Sequence, residues 1–181
     1  MIALKNLVSA LCAVALIGLP LPAVAQTLST ARIDLNGTVQ AGTCTVAAIS
    51  KAMPTVGADA FPQTAAGKGA AVASYTDFSI NLTACSAVTG ATFVFGTDAD
   101  RHDTERDSFR NKGTGGSPYI AIWLRGTCSG GPTYQPAQSV SRTFSTATYT
   151  FPLCAQYYKA AGGLVTPGPA STNFIVTITY Q

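Results

Sequence analysis

Charge is the scarcest commodity in this chain. Eleven basic and eight acidic residues in 181 leave a formal net charge of +3. That is too little to hold a nucleic acid or an anionic membrane surface. Histidine occurs once, at His102, so any histidine-dependent mechanism would rest on that residue alone. No two cysteines stand in C-x-x-C spacing, and with a single histidine this argues against zinc. Phosphate-loop and dinucleotide fingerprints are absent. Gly126-Thr127-Cys128-Ser129-Gly130-Gly131 fails the G-x-S-x-G pattern of a nucleophilic serine and has no evident acid–histidine partner. The acidic residues Asp98, Asp100, Asp103, Glu105 and Asp107 lack the glycine and terminal acidic ligand of a calcium loop. Arg101, Arg106, Arg110 and Lys112 run among them and nearly cancel their charge, so the stretch reads as a solvated loop. Nothing builds an active site: the reading is no enzyme, no cofactor and no metal.

The longest apolar run, Leu7 to Leu19, is too short to cross a bilayer comfortably and is broken by Pro20 and Pro22. Lys5 precedes it and Ala23-Val24-Ala25 follows, which fits a secretory signal over residues 1–25. Removing that segment also removes Cys12 and leaves four cysteines, Cys44, Cys85, Cys128 and Cys154. An even number in an exported chain reads as two disulfides. Three pairings are open. Cys44–Cys85 with Cys128–Cys154 is favoured, because each pair then joins segments that read as strands.

What the chain has is β-pattern. In Asn173 to Gln181, Phe174, Val176, Ile178 and Tyr180 fall on one face, and Ile175, Thr177 and Thr179 on the other. Period-two alternation with β-branched residues marks a half-buried strand. A strand with no following hairpin keeps an open apolar edge, a liability unless another chain pairs with it. Near the other end Ala31, Ile33, Leu35, Gly37 and Val39 alternate with Arg32, Asp34, Asn36 and Thr38. One end needs a strand and the other can supply one, which points to self-assembly.

Between them, Tyr75 to Cys85, Ala91 to Phe95 and Tyr119 to Arg125 read as strands. Gly126 to Ser141 reads as a Gly/Pro-rich turn. Phe144 to Tyr149 and Phe151 to Tyr158 read as two strands with a break near Pro152. Ala52 to Lys68 and Ala160 to Thr172 read as loops, the first with room for one short strand. Short strands, turn-rich loops and no convincing helix after the signal indicate a β-sandwich. Asn36-Gly37-Thr38 and Asn81-Leu82-Thr83 match the glycosylation sequon, but both lie in strand-like patterns and read as chance.

These pieces, in order, resemble the pilin subunits of chaperone–usher fimbriae, most closely the type 1 class. The resemblance is carried by Ile33-Asp34-Leu35-Asn36-Gly37-Thr38-Val39 before Cys44-Thr45-Val46, then by Phe78 to Cys85 and Phe93-Val94-Phe95-Gly96. It closes over Tyr157 to Gln181, where a Gly/Pro/Ala loop leads to a strand with a penultimate tyrosine. It implies an incomplete immunoglobulin-like sandwich that lacks its seventh strand and is completed by donor-strand exchange. It divides the chain into the signal, a donor extension over 26–40 and a pilin domain over 41–181. The implied donor residues are Ala31, Ile33, Leu35, Gly37 and Val39, with Gly37 matching the family's donor glycine. The implied acceptor edge is Phe174, Val176, Ile178 and Tyr180, and the family disulfide is Cys44–Cys85. Cys128 and Cys154 depart from the simplest family pattern as an added brace. The implied partners are neighbouring pilin subunits, a periplasmic chaperone, an outer-membrane usher and a host receptor, with export through the periplasm to the cell surface. The alternative reading is a minor or tip-proximal subunit with receptor-binding activity of its own.

Overall fold

A computed structural model describes residues 42–181 of the chain, and these form two facing antiparallel sheets. The signal, the extension over 26–40 and the residues Ala31, Ile33, Leu35, Gly37 and Val39 lie outside the described residues. The strands are β1 (Thr43–Val46), β2 (Gly69–Ala70), β3 (Thr76–Ser86), β4 (Gly90–Phe95) and β5 (Phe109–Arg110). They continue as β6 (Ile120–Thr127), β7 (Gly130–Tyr134), β8 (Gln138–Thr143), β9 (Tyr149–Lys159) and β10 (Val176–Tyr180). The larger sheet runs β1-β3-β9-β6-β5, with β2 added to β9 and β7 to β6. The smaller runs β10-β4-β8.

Side-chain alternation explains the two layers. Ile80 and Leu82 of β3, Ile122 and Leu124 of β6, and Phe151 and Leu153 of β9 point from the larger sheet into the core. Ala91, Phe93 and Phe95 of β4 meet them from the smaller sheet, each fully buried. Phe93 and Phe151 lie 4.6 Å apart between ring centroids, and Phe95 stacks on Tyr134 at 5.2 Å. Burying such side chains contributes roughly 1.5–3 kcal/mol each. Gly96 ends β4 in the left-handed region at φ +61°, where a side chain would be strained. A Cβ there would also stand 2.7 Å from the Asp100 carboxylate.

Four expectations need correction. Gly126 to Ser141 is not a simple turn: β7 and the start of β8 lie in it, because Tyr134 and Val140 are enough to anchor two edge strands on the core. Phe144 to Tyr149 is not a strand of its own, and there is no break at Pro152. β9 is continuous, since Pro152 faces Ser79 of β3 while pairing to β6 begins only at Cys154. At that position one side of β9 is unpaired, and the missing N–H of proline costs no ladder bond there. The segment Asp98 to Lys112 is more than a solvated loop. Asp100, His102, Ser108 and Phe109 are buried in it, and Phe109–Arg110 adds an edge strand to β6. In the first long loop, Ala52 to Lys68, the ordered element is a 3-10 turn over Ala58–Ala60 and not a strand.

Candidate functional site: an open groove beside the last strand

β10 pairs with β4 along one edge, from Val176 opposite Phe95 to Tyr180 opposite Ala91. Its other edge has no strand partner among the described residues. On that side the sandwich is open between β10 and the β1 edge of the larger sheet. The gap is a groove of about 800 Å³. One wall is Ala170 to Val176 with Ile178, and the other is Val46 to Met53. The floor comes from three strands of the larger sheet, through Phe78, Ile80, Ile122, Leu124, Leu153 and Ala155. These are core residues in the pattern of any sandwich; here they also face a slot where a further strand would sit.

The sequence-predicted acceptor residues are brought together. Phe174, Val176 and Ile178 line the groove, and each is half-buried while Ile175, Thr177 and Thr179 point outward. Ile175 is 80% exposed. Only Val176 to Tyr180 is regular strand, but the Gly96 N–H donates to the Ile175 carbonyl at 2.8 Å and carries the pairing upstream. Tyr180 has the same inward orientation but does not line the groove. Its hydroxyl donates to the Cys44 carbonyl at 3.2 Å, tying β10 to β1.

Two disulfides brace the larger sheet. Cys44 and Cys85 join β1 to β3 with Cα atoms 4.1 Å apart, and Cys128 and Cys154 join the β6–β7 turn to β9 at 5.1 Å. Asp77 lies beside the second bridge, but both sulfurs are spent in it, so this trio is no metal centre.

Sequence reasoning missed the group that holds the upstream wall. The Lys112 ammonium donates to the Asp100 carboxylate at 2.7 Å and to both the carbonyl and the side-chain oxygen of Asn173. Asn173 immediately precedes Phe174, whose ring stacks on Phe109 at 4.2 Å. The clasp therefore fixes the entry to the acceptor segment. Burial works to raise the Asp100 carboxyl, but hydrogen bonds from Lys112 and Thr97 outweigh it and hold the group below the usual carboxylate range. The Asp100 carboxylate accepts from the backbone N–H of Thr97 at 2.8 Å. Thr97-Asp98-Ala99-Asp100 has the form of a capping box, the one signal in the sequence that could have marked Asp100 as ordered.

His102 serves the same region. Its Nε2 meets the Pro118 carbonyl at 2.9 Å, and its Nδ1 accepts from the backbone N–H groups of Thr104 and Glu105. That set gives both ring nitrogens a partner and the residue a structural part. Lys159 is fully buried and donates to the carbonyls of Thr64, Gly67 and Ala160, which pins the first long loop to the end of β9.

The model of the family described as fimbrial protein matches residues 33–181. No curated protein matches the chain in sequence. Among solved structures, the fold is similar to that of a chaperone–usher pilus studied for the molecular basis of rod uncoiling. Identity is 18%, the match covers 88% of this chain and 99% of that one, and the TM-score is 0.59. It is similar also to the crystal structure of the P pilus rod subunit PapA, at 18% identity, 76% and 99% coverage and a TM-score of 0.58.

Proposed function

The chain belongs to the family of fimbrial proteins, and from that premise we propose that its groove is the seat for a strand supplied by another subunit. As a fimbrial pilin it is a structural subunit of a surface fimbria, assembled with other pilin subunits. The observation that carries the strand-acceptor reading is the free apolar edge of β10, set over a groove whose floor is the hydrophobic core of the larger sheet.

In this reading the occupant is the segment Ala31 to Val39 of a neighbouring copy, with Ala31, Ile33, Leu35, Gly37 and Val39 directed inward. The mode is β-strand addition, where backbone bonds give affinity and alternate side chains give register. Burial of Ile33, Leu35 and Val39 contributes roughly 1.5–3 kcal/mol each when complete. Ordering the backbone of the segment costs roughly 1–2 kcal/mol per residue. Apolar burial alone therefore does not carry the association. The remainder comes from pairing the backbone groups of the open edge and from tightening of the sandwich as the slot closes.

An edge of this kind needs cover before assembly. The proposal includes a periplasmic chaperone that fills the groove temporarily, an outer-membrane usher that exchanges it for the neighbour's strand, and export directed by residues 1–25. Co-expression with a matching periplasmic chaperone, followed by electron microscopy, tests it. A stable chaperone complex and fibres on exchange are expected. A chain that stays soluble and monomeric without any chaperone contradicts it.

A further inference from the structure

The groove has one closed end. Along the acceptor segment the lining runs from Ala170 to Ile178 and stops, and on the floor it stops at Ile80 of β3 and Leu153 of β9. The next inward residue after Ile178 on one wall is Tyr180, level with the buried Ala91 of β4, and the next after Val46 on the other wall is Cys44. The groove ends where these two meet: the Tyr180 side chain crosses from β10 and its hydroxyl donates to the Cys44 carbonyl of β1.

Both ends of that crossing are fixed. Cys44 is bonded to Cys85. The backbone around Tyr180 is locked on the other side: Gln181 N–H donates to the Gly90 carbonyl at 2.9 Å, and Thr89 N–H donates to Gln181 at 2.7 Å. Displacing the ring costs its hydrogen bond to Cys44 and its packing against the core, while the backbone that carries it stays held by strand pairing.

We infer that Tyr180 is the register stop of the groove: it forms a wall against which an inserted strand abuts. This rests on the reading of the groove as a strand acceptor and goes beyond it. An inserted strand with no connecting turn has its register set by side-chain pattern alone, and slips of two residues keep the same face inward. The acceptor segment has inward positions at Ala170, Thr172, Phe174, Val176 and Ile178, five seats in even spacing. Apolar seats in a row do not by themselves distinguish one two-residue register from the next. A wall at position 180 does, because a strand advanced by two residues would have to place a side chain where the Tyr180 hydroxyl meets Cys44.

The test uses the chain purified in complex with its periplasmic chaperone, from which the groove is taken over by a synthetic peptide of the sequence Ser29 to Ala41 carrying a photo-crosslinking residue at one end or the other. Crosslinked positions are read by mass spectrometry, with the unaltered chain and with Tyr180→Leu, which keeps the apolar alternation of β10 but is too short to reach Cys44. On the unaltered chain, crosslinks at one end of the peptide should reach Ile178 or Val46 and none should reach Ala91 or Phe144, which lie level with Tyr180 or beyond it. In Tyr180→Leu the map should advance by about two residues and include those deeper positions. Crosslinks to Ala91 or Phe144 on the unaltered chain overturn the stop, whether or not the variant folds. An identical map for the two chains also overturns it. A peptide that crosslinks nowhere in the groove of the unaltered chain overturns the strand-acceptor reading itself, and the stop with it.

Discussion

The smaller sheet has two edges, and they are built differently. β8 reads Gln-Ser-Val-Ser-Arg-Thr, with Val140 as its one apolar inward residue and Arg142 pointing into the sandwich beside it. The Arg142 guanidinium lies 5.2 Å from the centre of the Phe151 ring and donates to the Tyr134 hydroxyl at 3.1 Å. An inward-pointing charge among short polar residues is a recognised way to blunt a sheet edge. β10 reads Val-Thr-Ile-Thr-Tyr, with three apolar inward residues and no charge. The same central strand, β4, supports both. One edge is protected against pairing and the other is left fit for it, so the open side is a property of the sequence and not a by-product of sandwich geometry.

The comparison can be broken most severely at Ile178. Ile178→Arg gives β10 the device that protects β8, a cation on its inward face. Fibres should disappear in electron micrographs, while far-ultraviolet circular dichroism keeps its β-signature. Normal fibres from this variant would mean that the β10 edge is not the one used.

Next in size is the clasp that presents the open edge. Lys112→Met leaves the Asp100 carboxylate without its cation and releases Asn173. A lost charged partner of this kind costs about 1–3 kcal/mol, to be read from denaturant unfolding. The same carboxylate gives a pH dependence with a defined sign. Its folded-state pKa is depressed, so its contribution is present above the unfolded value of about 3.9 and is lost as pH falls through the folded value. Stability of the native chain should therefore fall in strong acid, and Asp100→Asn should remove part of that fall while lowering stability at neutral pH. An Asp100→Asn chain with the native acid profile would take the carboxylate out of the account.

Arg142→Val should turn the protected edge into an apolar one. The lost hydrogen bond and cation–aromatic contact are each worth about 0.5–1.5 kcal/mol. The more telling result is self-association, with light scattering expected to rise through β8 without any gain in ordered fibres. The smallest effect is expected at Thr177, on the outward face of β10. Thr177→Lys should shift stability by no more than about 0.5 kcal/mol in a thermal melt.

How much of this was legible depends on what each feature costs in sequence. The β10 edge was plain, because a half-buried strand must alternate and Phe174 to Tyr180 does so without exception. β3 and β4 were plain for the same reason. β7 and β8 were hidden, because an edge strand needs only one or two inward anchors, here Tyr134 and Val140, and its other positions are free to look like loop. β9 was misdivided at Pro152, since a proline reads as a break unless the reader knows that the neighbouring strand starts two residues later. The clasp of Asp100, Lys112 and Asn173 was invisible: its partners are 61 residues apart, and charges interleaved in a loop look solvated until a third group turns them inward. The floor of the groove could be listed as core residues, but which of them face the slot depends on where the two sheets part company.

The most direct test of the central claim separates the open edge from the strand that fills it. Deleting Gln26 to Val39 removes the proposed donor and leaves β10, its groove and the clasp in place. The shortened subunit should bind its chaperone and take up a peptide of the donor sequence, yet add nothing beyond itself to a growing fibre. Fibres of normal length from the shortened subunit alone would contradict the account.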